Sequence, residues 1–212
     1  YETIKQRVVS SLEMNEAENF EDAYFFLFSG FAVVFVDGMP KCLVMGIQGF
    51  EKRKTGEPTN EPNIKGAKEC FTETLNDNKA MLHRRIKSPS LKIKQFKIGN
   101  QIKTSVAVCY LESAVDMRLV ADVESRILSA PIDEVCDYGE IAAFLDSGIK
   151  SYFTAVGNTE RPDTLCSKLS EGRVAVLVDG SPYAMYVPYL FTDSFSTVDD
   201  YNNRPFYATF NR

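Results

Sequence analysis

One apolar phrase occurs twice in this chain, as Gly30-Phe-Ala-Val-Val-Phe-Val-Asp-Gly-Met-Pro40 and as Gly172-Arg-Val-Ala-Val-Leu-Val-Asp-Gly-Ser-Pro182. Aligned from Gly30 to Met45 and from Gly172 to Val187, the copies share six of sixteen positions, against roughly one expected in a mixed composition. An unbroken apolar run describes a strand buried on both faces, and Asp-Gly is the two-residue loop suited to a type I′ hairpin. Asp37, Gly38, Asp179 and Gly180 then become turn residues, with return strands over Lys41 to Met45 and Tyr183 to Val187. In that register Val36 and Met39 exchange both backbone hydrogen bonds. The N–H that Pro40 lacks would point away from its partner, which places each return strand at or near a sheet edge. Two such hairpins read either as a duplicated small α/β unit or as two unrelated buried hairpins.

Around these marks the chain alternates helical and extended patterns. Tyr1 to Leu12 and the aromatic-rich Phe20 to Phe28 read as helices, the second apolar enough to be buried. Gly46 to Gly66 reads as a long surface loop. Phe71 to Ile86 carries apolar residues at helical spacing and ends before Pro89. Leu91 to Ile98 and Gln101 to Leu111 form a third hairpin about Gly99-Asn100, with Gln95 as a candidate bulge. Ala114 to Leu128 is an amphipathic helix with Val120, Val123 and Ile127 on one side. Beyond Pro131 a helical pair is expected, capped by Asp133 and broken at Gly139. A strand over Ser151 to Val156 leads to a helix that starts at Pro162 and is ended by Gly172. Phe191 to Arg212 reads as an irregular tail. The fold class is therefore mixed α/β, as two subdomains of residues 1–100 and 101–212 with the boundary between 86 and 111. Each would hold one Asp-Gly hairpin in a mixed sheet flanked by helices.

Five cysteines, Cys42, Cys70, Cys109, Cys136 and Cys166, form no Cys-x-x-Cys pair. An odd number in this pattern reads as reduced core thiols in a reducing compartment. The chain shows no signal peptide and no apolar run of about 18 residues. It opens without an initiator Met, which reads as a piece of something longer. Within a net charge of -5, Lys79 to Lys103 holds eight Lys or Arg and no Asp or Glu. With only Phe96 interleaved, that stripe reads as a solvated face or an interface for an acidic partner, not as a nucleic-acid surface.

The residue types that carry enzymatic chemistry are scarce. His83 is the single histidine, set in Leu82-His-Arg-Arg85, where neighbouring charges disfavour a protonated ring and a solvated or capping role fits. No zinc spacing, phosphate loop or nucleophile elbow occurs. Asp37 and Asp179 could suggest a carboxylate pair, but their turns account for both. Neither a catalytic residue, a cofactor nor a metal follows, and a carboxylate-only hydrolase is the one form an enzyme could take.

Several strings occur together in order: Gly56-Glu-Pro-Thr-Asn-Glu-Pro62, Asn78-Lys-Ala-Met-Leu-His-Arg-Arg-Ile86, Ser88-Pro-Ser-Leu-Lys-Ile93, Thr159-Glu-Arg-Pro-Asp163, the second Val-Asp-Gly-Ser-Pro phrase and Asp199-Asp-Tyr201. With these the chain closely resembles the amino-terminal domain of the A subunits of GerA-family spore germinant receptors. His83 within the basic motif and Asn202-Asn203 after Asp199-Asp-Tyr201 depart from the pattern. The resemblance implies a nutrient-responsive receptor of the spore inner membrane built from A, B and C subunits. It places this domain on the cytoplasmic side, with membrane helices beginning after the position of Arg212. It also implies that nutrient binding is chiefly a B-subunit property and that A subunits form an ion-conducting oligomer.

The expected role is a signalling and assembly module that couples germinant sensing to the membrane part, with the B and C subunits and other A subunits as partners. Asn60, Glu61, Pro62, Arg84, Arg85, Glu160, Arg161 and Asp163 are the candidate interface or ligand residues, because Arg forms bidentate pairs with carboxylates. Local caps and intrachain ion pairs are the alternative for them. A second possibility is a two-lobed module that binds a small-molecule germinant in a cleft.

Overall fold

In the computed structural model, residues 14–46, 69–99, 103–130, 138–146 and 153–195 are described. Outside them lie the expected helix at Tyr1 to Leu12, most of the long loop with Asn60, Glu61 and Pro62, the turn residue Asn100, Asp133, Cys136, and the tail with Asp199-Asp-Tyr201 and Asn202-Asn203. The chain divides into two compact units, one of residues 1–53 with 83–89 and one of residues 54–82 with 90–212. A single cut between residues 100 and 101 would instead sever a hairpin whose eight residue pairs join Leu91 to Leu111 and Ile98 to Thr104.

The first unit holds a three-stranded sheet and a helix. Strands β1 (Met14–Ala17), β2 (Phe31–Val34) and β3 (Cys42–Gly46) are ordered β1-β3-β2, with both pairings antiparallel. Helix α1 (Phe20–Phe28) starts at Asn19, whose side-chain oxygen accepts from the Asp22 N–H at 2.8 Å. That is the N-cap geometry which satisfies one orphan donor of a first turn. Burial does not follow its apolar character: Ala23 alone on it is buried, while Phe20, Tyr24, Phe25 and Leu27 are exposed.

The second unit is built on a five-stranded sheet ordered β4-β5-β7-β8-β6, antiparallel throughout instead of mixed. Its strands are β4 (Leu91–Ile98), β5 (Thr104–Leu111), β6 (Gly157–Thr159), β7 (Val174–Val178) and β8 (Ala184–Val187). The helices are α2 (Leu75–Arg85), whose last three residues belong to the first unit, α3 (Met117–Ser129), α4 (Tyr138–Asp146) and α5 (Pro162–Ser170), and a 3-10 turn covers Phe191–Phe195. Val106, Val108, Tyr110, Val174, Val176 and Val178 join Val120, Val123 and Ile127 of α3 and Ile141 and Leu145 of α4 in one core cluster. The alternate residues Ala107, Cys109, Ala175 and Leu177 point to the opposite face and are equally buried, because strand side chains alternate. Helix α5 packs against β5, β7 and β8 there, with Leu165 and Leu169 fully buried.

The central strands β5 and β7 read as apolar on both faces because both faces are covered. No helix among the described residues is long and apolar enough to cross a membrane.

Several expectations are corrected. Gly139 lies inside α4 and does not break it. β4 runs in continuous register past Gln95, without a bulge. Of the strand expected over Ser151 to Val156, the first two residues lie outside the described ones and Phe153 to Val156 form no ladder; β6 starts at Gly157.

The twin hairpins differ most from expectation. Met39 N–H donates to the Val36 carbonyl at 3.1 Å and Ser181 N–H to Val178 at 3.3 Å, so both Asp-Gly turns form. Only the glycines have positive φ, 78° at Gly38 and 89° at Gly180. A type I′ turn needs positive φ at both central residues, whereas positive φ at the second alone is the type II pattern. The ladder registers are offset by two residues from those of tight hairpins, with Val34 opposite Leu43 instead of Lys41 and Leu177 opposite Ala184 instead of Pro182. Pro40 and Pro182 therefore stand outside the ladders and impose no edge. Accordingly β3 is the central strand of its sheet, and β8 lies between β7 and β6.

Candidate functional site

Among the described candidate residues, Glu160, Arg161 and Asp163 are part of the frame. Arg161 is 0% exposed and precedes Pro162, the helix-compatible first residue of α5. Its Nε and Nη2 donate to the Asp163 carboxylate at 3.1 and 2.5 Å, and its backbone N–H donates to the Thr159 hydroxyl at 3.1 Å. Asp163 also accepts from the Thr164 N–H, and the Glu160 carbonyl accepts from the Phe71 N–H at 2.8 Å. The structure thus brings Glu160, Arg161 and Asp163 together at the start of α5, with Arg161 closed to solvent. Arg84 and Arg85 stand apart, in the last turn of α2, where cations complement the helix dipole. Arg84 is exposed.

His83 is half-buried in the last turn of α2, and its ring stacks on Phe28, centroids 5.0 Å apart and nearly parallel. Part of the basic stripe is matched within the chain. Lys92 meets Glu112 at 3.4 Å, Lys94 meets Glu124 at 2.7 Å, and Lys79 donates to Gln95. The four described cysteines, Cys42, Cys70, Cys109 and Cys166, are thiols. Burial pushes Cys109 up to about 12, which makes it unreactive.

Asp179 does more than turn the chain. Its carboxylate accepts from the Leu75 N–H at 3.0 Å, capping α2 from 104 residues away, while the Gly180 N–H donates to the Glu73 carbonyl at 2.7 Å.

The densest polar arrangement was not singled out in the sequence. Asp193, in the 3-10 turn, accepts from both Nη atoms of Arg173, from Lys168 Nζ at 3.0 Å and from the Leu190 N–H at 2.9 Å. Arg173 also donates to the Pro188 carbonyl and pairs with Glu171 at 2.9 Å. Both cations sit over the Tyr186 ring. All three side chains at the centre are nearly closed to water. Burial opposes the Asp193 charge, but hydrogen bonds from Arg173, Leu190 and Lys168 outweigh it and hold the carboxyl well below the usual carboxylate range.

This cluster fixes the segment that walls a cavity of about 290 Å³, lined by Phe153, Thr154, Ala155, Tyr189, Leu190, Phe191 and Ser194. Beside it, Gly157 faces two rings: a Cβ there would come within 2.4 Å of Tyr186 and 2.5 Å of Tyr189. The cavity offers aromatic and aliphatic walls with three hydroxyls, those of Thr154, Tyr189 and Ser194, and the neighbouring charges are spent on one another. A sequence signal existed for Lys168 alone: it falls on the face of α5 that carries Leu165 and Leu169.

Comparison with known proteins agrees with this architecture. Residues 1–212 match the family model described as Bacillus/Clostridium GerA spore germination protein. Spore germination protein KA of Bacillus subtilis is 34% identical over 84% of the chain and 33% of its own length. Spore germination protein GerLA of Bacillus cereus is 29% identical over 96% of the chain and 41% of its own length. The chain thus spans about a third to two fifths of these curated relatives. The crystal structure of the N-terminal domain of the A subunit of the Bacillus megaterium spore germinant receptor GerK3 superposes with a TM-score of 0.64, covering 90% of this chain and 68% of that one at 29% identity. The chain belongs to the GerA family of Bacillus/Clostridium spore germination proteins.

Proposed function

We propose that this chain is the N-terminal domain of a germinant-receptor A subunit and works without catalysis, as an assembly and signalling module. In this reading it relays germinant sensing to the membrane part of the receptor, from the cytoplasmic side of the spore inner membrane, in contact with the B and C subunits and other A subunits. The observation that carries it is the fold-level likeness to the GerK3 A-subunit domain over 90% of the chain. The burial of Arg161 refines where such contacts would lie: Arg161 and Asp163 pair with each other at the start of α5, and among the described residues of the set Arg84 is the exposed one. Arg84→Glu in the full-length A subunit is expected to slow nutrient-triggered germination while costing the isolated domain about 1 kcal/mol, the scale of a charge at a helix C-terminus. Germination would be followed by loss of optical density of a spore suspension, with A, B and C subunits quantified by immunoblot. Normal germination at normal subunit levels would remove Arg84 from the assembly surface.

A further inference from the structure

Among its described residues, the first unit exposes several large apolar side chains. Its core cluster consists of Ala17, Ala23, Cys42 and Val44, with Phe26, Phe31 and Val33 partly buried against them. Outside, Phe20 is 70% exposed and Phe35 63%, and Tyr24, Phe25 and Leu27 are about half exposed. Phe20, Tyr24 and Leu27 fall at i, i+4 and i+7, one stripe of α1, while Ala23 and Phe26 form its inward side. The Phe20 ring extends the stripe to Phe35 at 5.9 Å.

Together these residues expose roughly 500 Å², taking about 200 Å² for a whole aromatic side chain. That matches the largest patch of an entire monomer, and such patches are commonly functional.

The surroundings define the occupant. Residues Glu16, Glu18, Glu21 and Asp22 lie in and before the stripe, and no Lys or Arg occurs between Met14 and Gly30. An anionic lipid surface is repelled by such a rim. A stable dimer buries about 800 Å² per partner, more than this patch offers, whereas one docked helix needs less. The patch already holds a cation at one ring: Lys87 Nζ stands 4.7 Å from the Phe25 centroid, which is the cation–π geometry. Lys41 likewise sits 2.6 Å from Glu18 and 3.8 Å from Glu16.

We propose that the outer face of α1, Phe20, Tyr24, Phe25 and Leu27 with Phe35, is the docking surface for a basic amphipathic segment of a partner protein. Its apolar side lies on the rings and its Lys or Arg residues face Glu21 and Asp22. This deepens the assembly reading by giving one contact its chemistry. The two fail separately, because the assay below needs no receptor and the Arg84→Glu experiment does not touch α1.

The test is fluorescence anisotropy of a labelled Lys/Leu amphipathic helical peptide titrated with this chain, beside a Glu/Leu peptide of the same pattern. Saturable binding of the Lys/Leu peptide alone is expected. Phe20→Ser with Leu27→Ser should weaken it about tenfold or more. Leu128→Ser, a change at a side chain 60% exposed on α3, should leave it unchanged. Glu21→Lys, which removes no ring, should weaken it as well and keeps the test open if the double variant is unstable. Equal binding by all variants, binding of the Glu/Leu peptide, or an α1-dependent response only to anionic vesicles or to protein concentration would overturn the proposal.

Discussion

Replacing Asp193 by Asn keeps the side chain's shape and removes the charge that Arg173 and Lys168 share. Breaking a nearly dry ion pair from one side leaves the other charge uncompensated, at a cost of about 3 to 5 kcal/mol. Glu171 still meets Arg173 at 2.9 Å and Lys168 at 3.6 Å, so the low end, about 3 kcal/mol, applies. With a urea slope of about 2 kcal/mol per molar, the midpoint should fall by about 1.5 M. Tyrosine fluorescence can follow the transition, since the chain has ten Tyr and no Trp.

The pH dependence supplies a second reading. The folded carboxyl titrates below its unfolded value of about 3.9, so its contribution is complete above that pH and is lost as pH falls toward the folded value. The advantage of wild type over Asp193→Asn should therefore hold from neutral pH down to about 5 and shrink below about 4. A loss under about 0.5 kcal/mol at pH 7, no more than an ordinary surface change, would refute the cluster as a structural tie. So would a difference between the two proteins that persists undiminished at pH 3.

Two further outcomes test the frame. Gly157→Ala should destabilise by about 1 to 3 kcal/mol or more, because the Tyr186 and Tyr189 rings must both move; an unchanged melting temperature would show that they move freely. Asp179→Ala should cost about 1 kcal/mol through loss of the α2 cap. At Asp37, where the turn accounts for the residue, the same change should stay within about 0.5 kcal/mol, and equal urea midpoints for the two variants would contradict this asymmetry.

Much of the fold was legible because local signals agreed with tertiary demand. Val174 to Val178 is apolar at every position and is buried at every position. Val120, Val123 and Ile127 face the core at helical spacing as their pattern requires. Pro162 and Gly172 mark the ends of α5, and the φ of +85° at Gly172 shows why glycine stands there. What stayed hidden depends on distant partners. The same Val-Asp-Gly phrase gives a half-buried edge strand in one sheet and a fully buried inner strand in the other, since neighbours, not the phrase, decide burial. Arg161 looked like a surface cation because its burial depends on a carboxylate two residues on and on the packing around it. Asp193 had no local mark at all, as its cations lie 20 and 25 residues earlier. The aromatic face of α1 was misjudged because hydrophobicity alone does not say that a side chain is covered.

The cap that Asp179 places on α2 also bears on how the chain is made. During synthesis α2 emerges long before the β7–β8 turn exists, so its first turn must wait with the Leu75 donor open until residue 179 arrives. Contacts of such long sequence separation slow folding. The helix that ends in His83, Arg84 and Arg85 is thus completed late, and a ribosome-bound chain ending before residue 179 should carry an α2 that frays at its start.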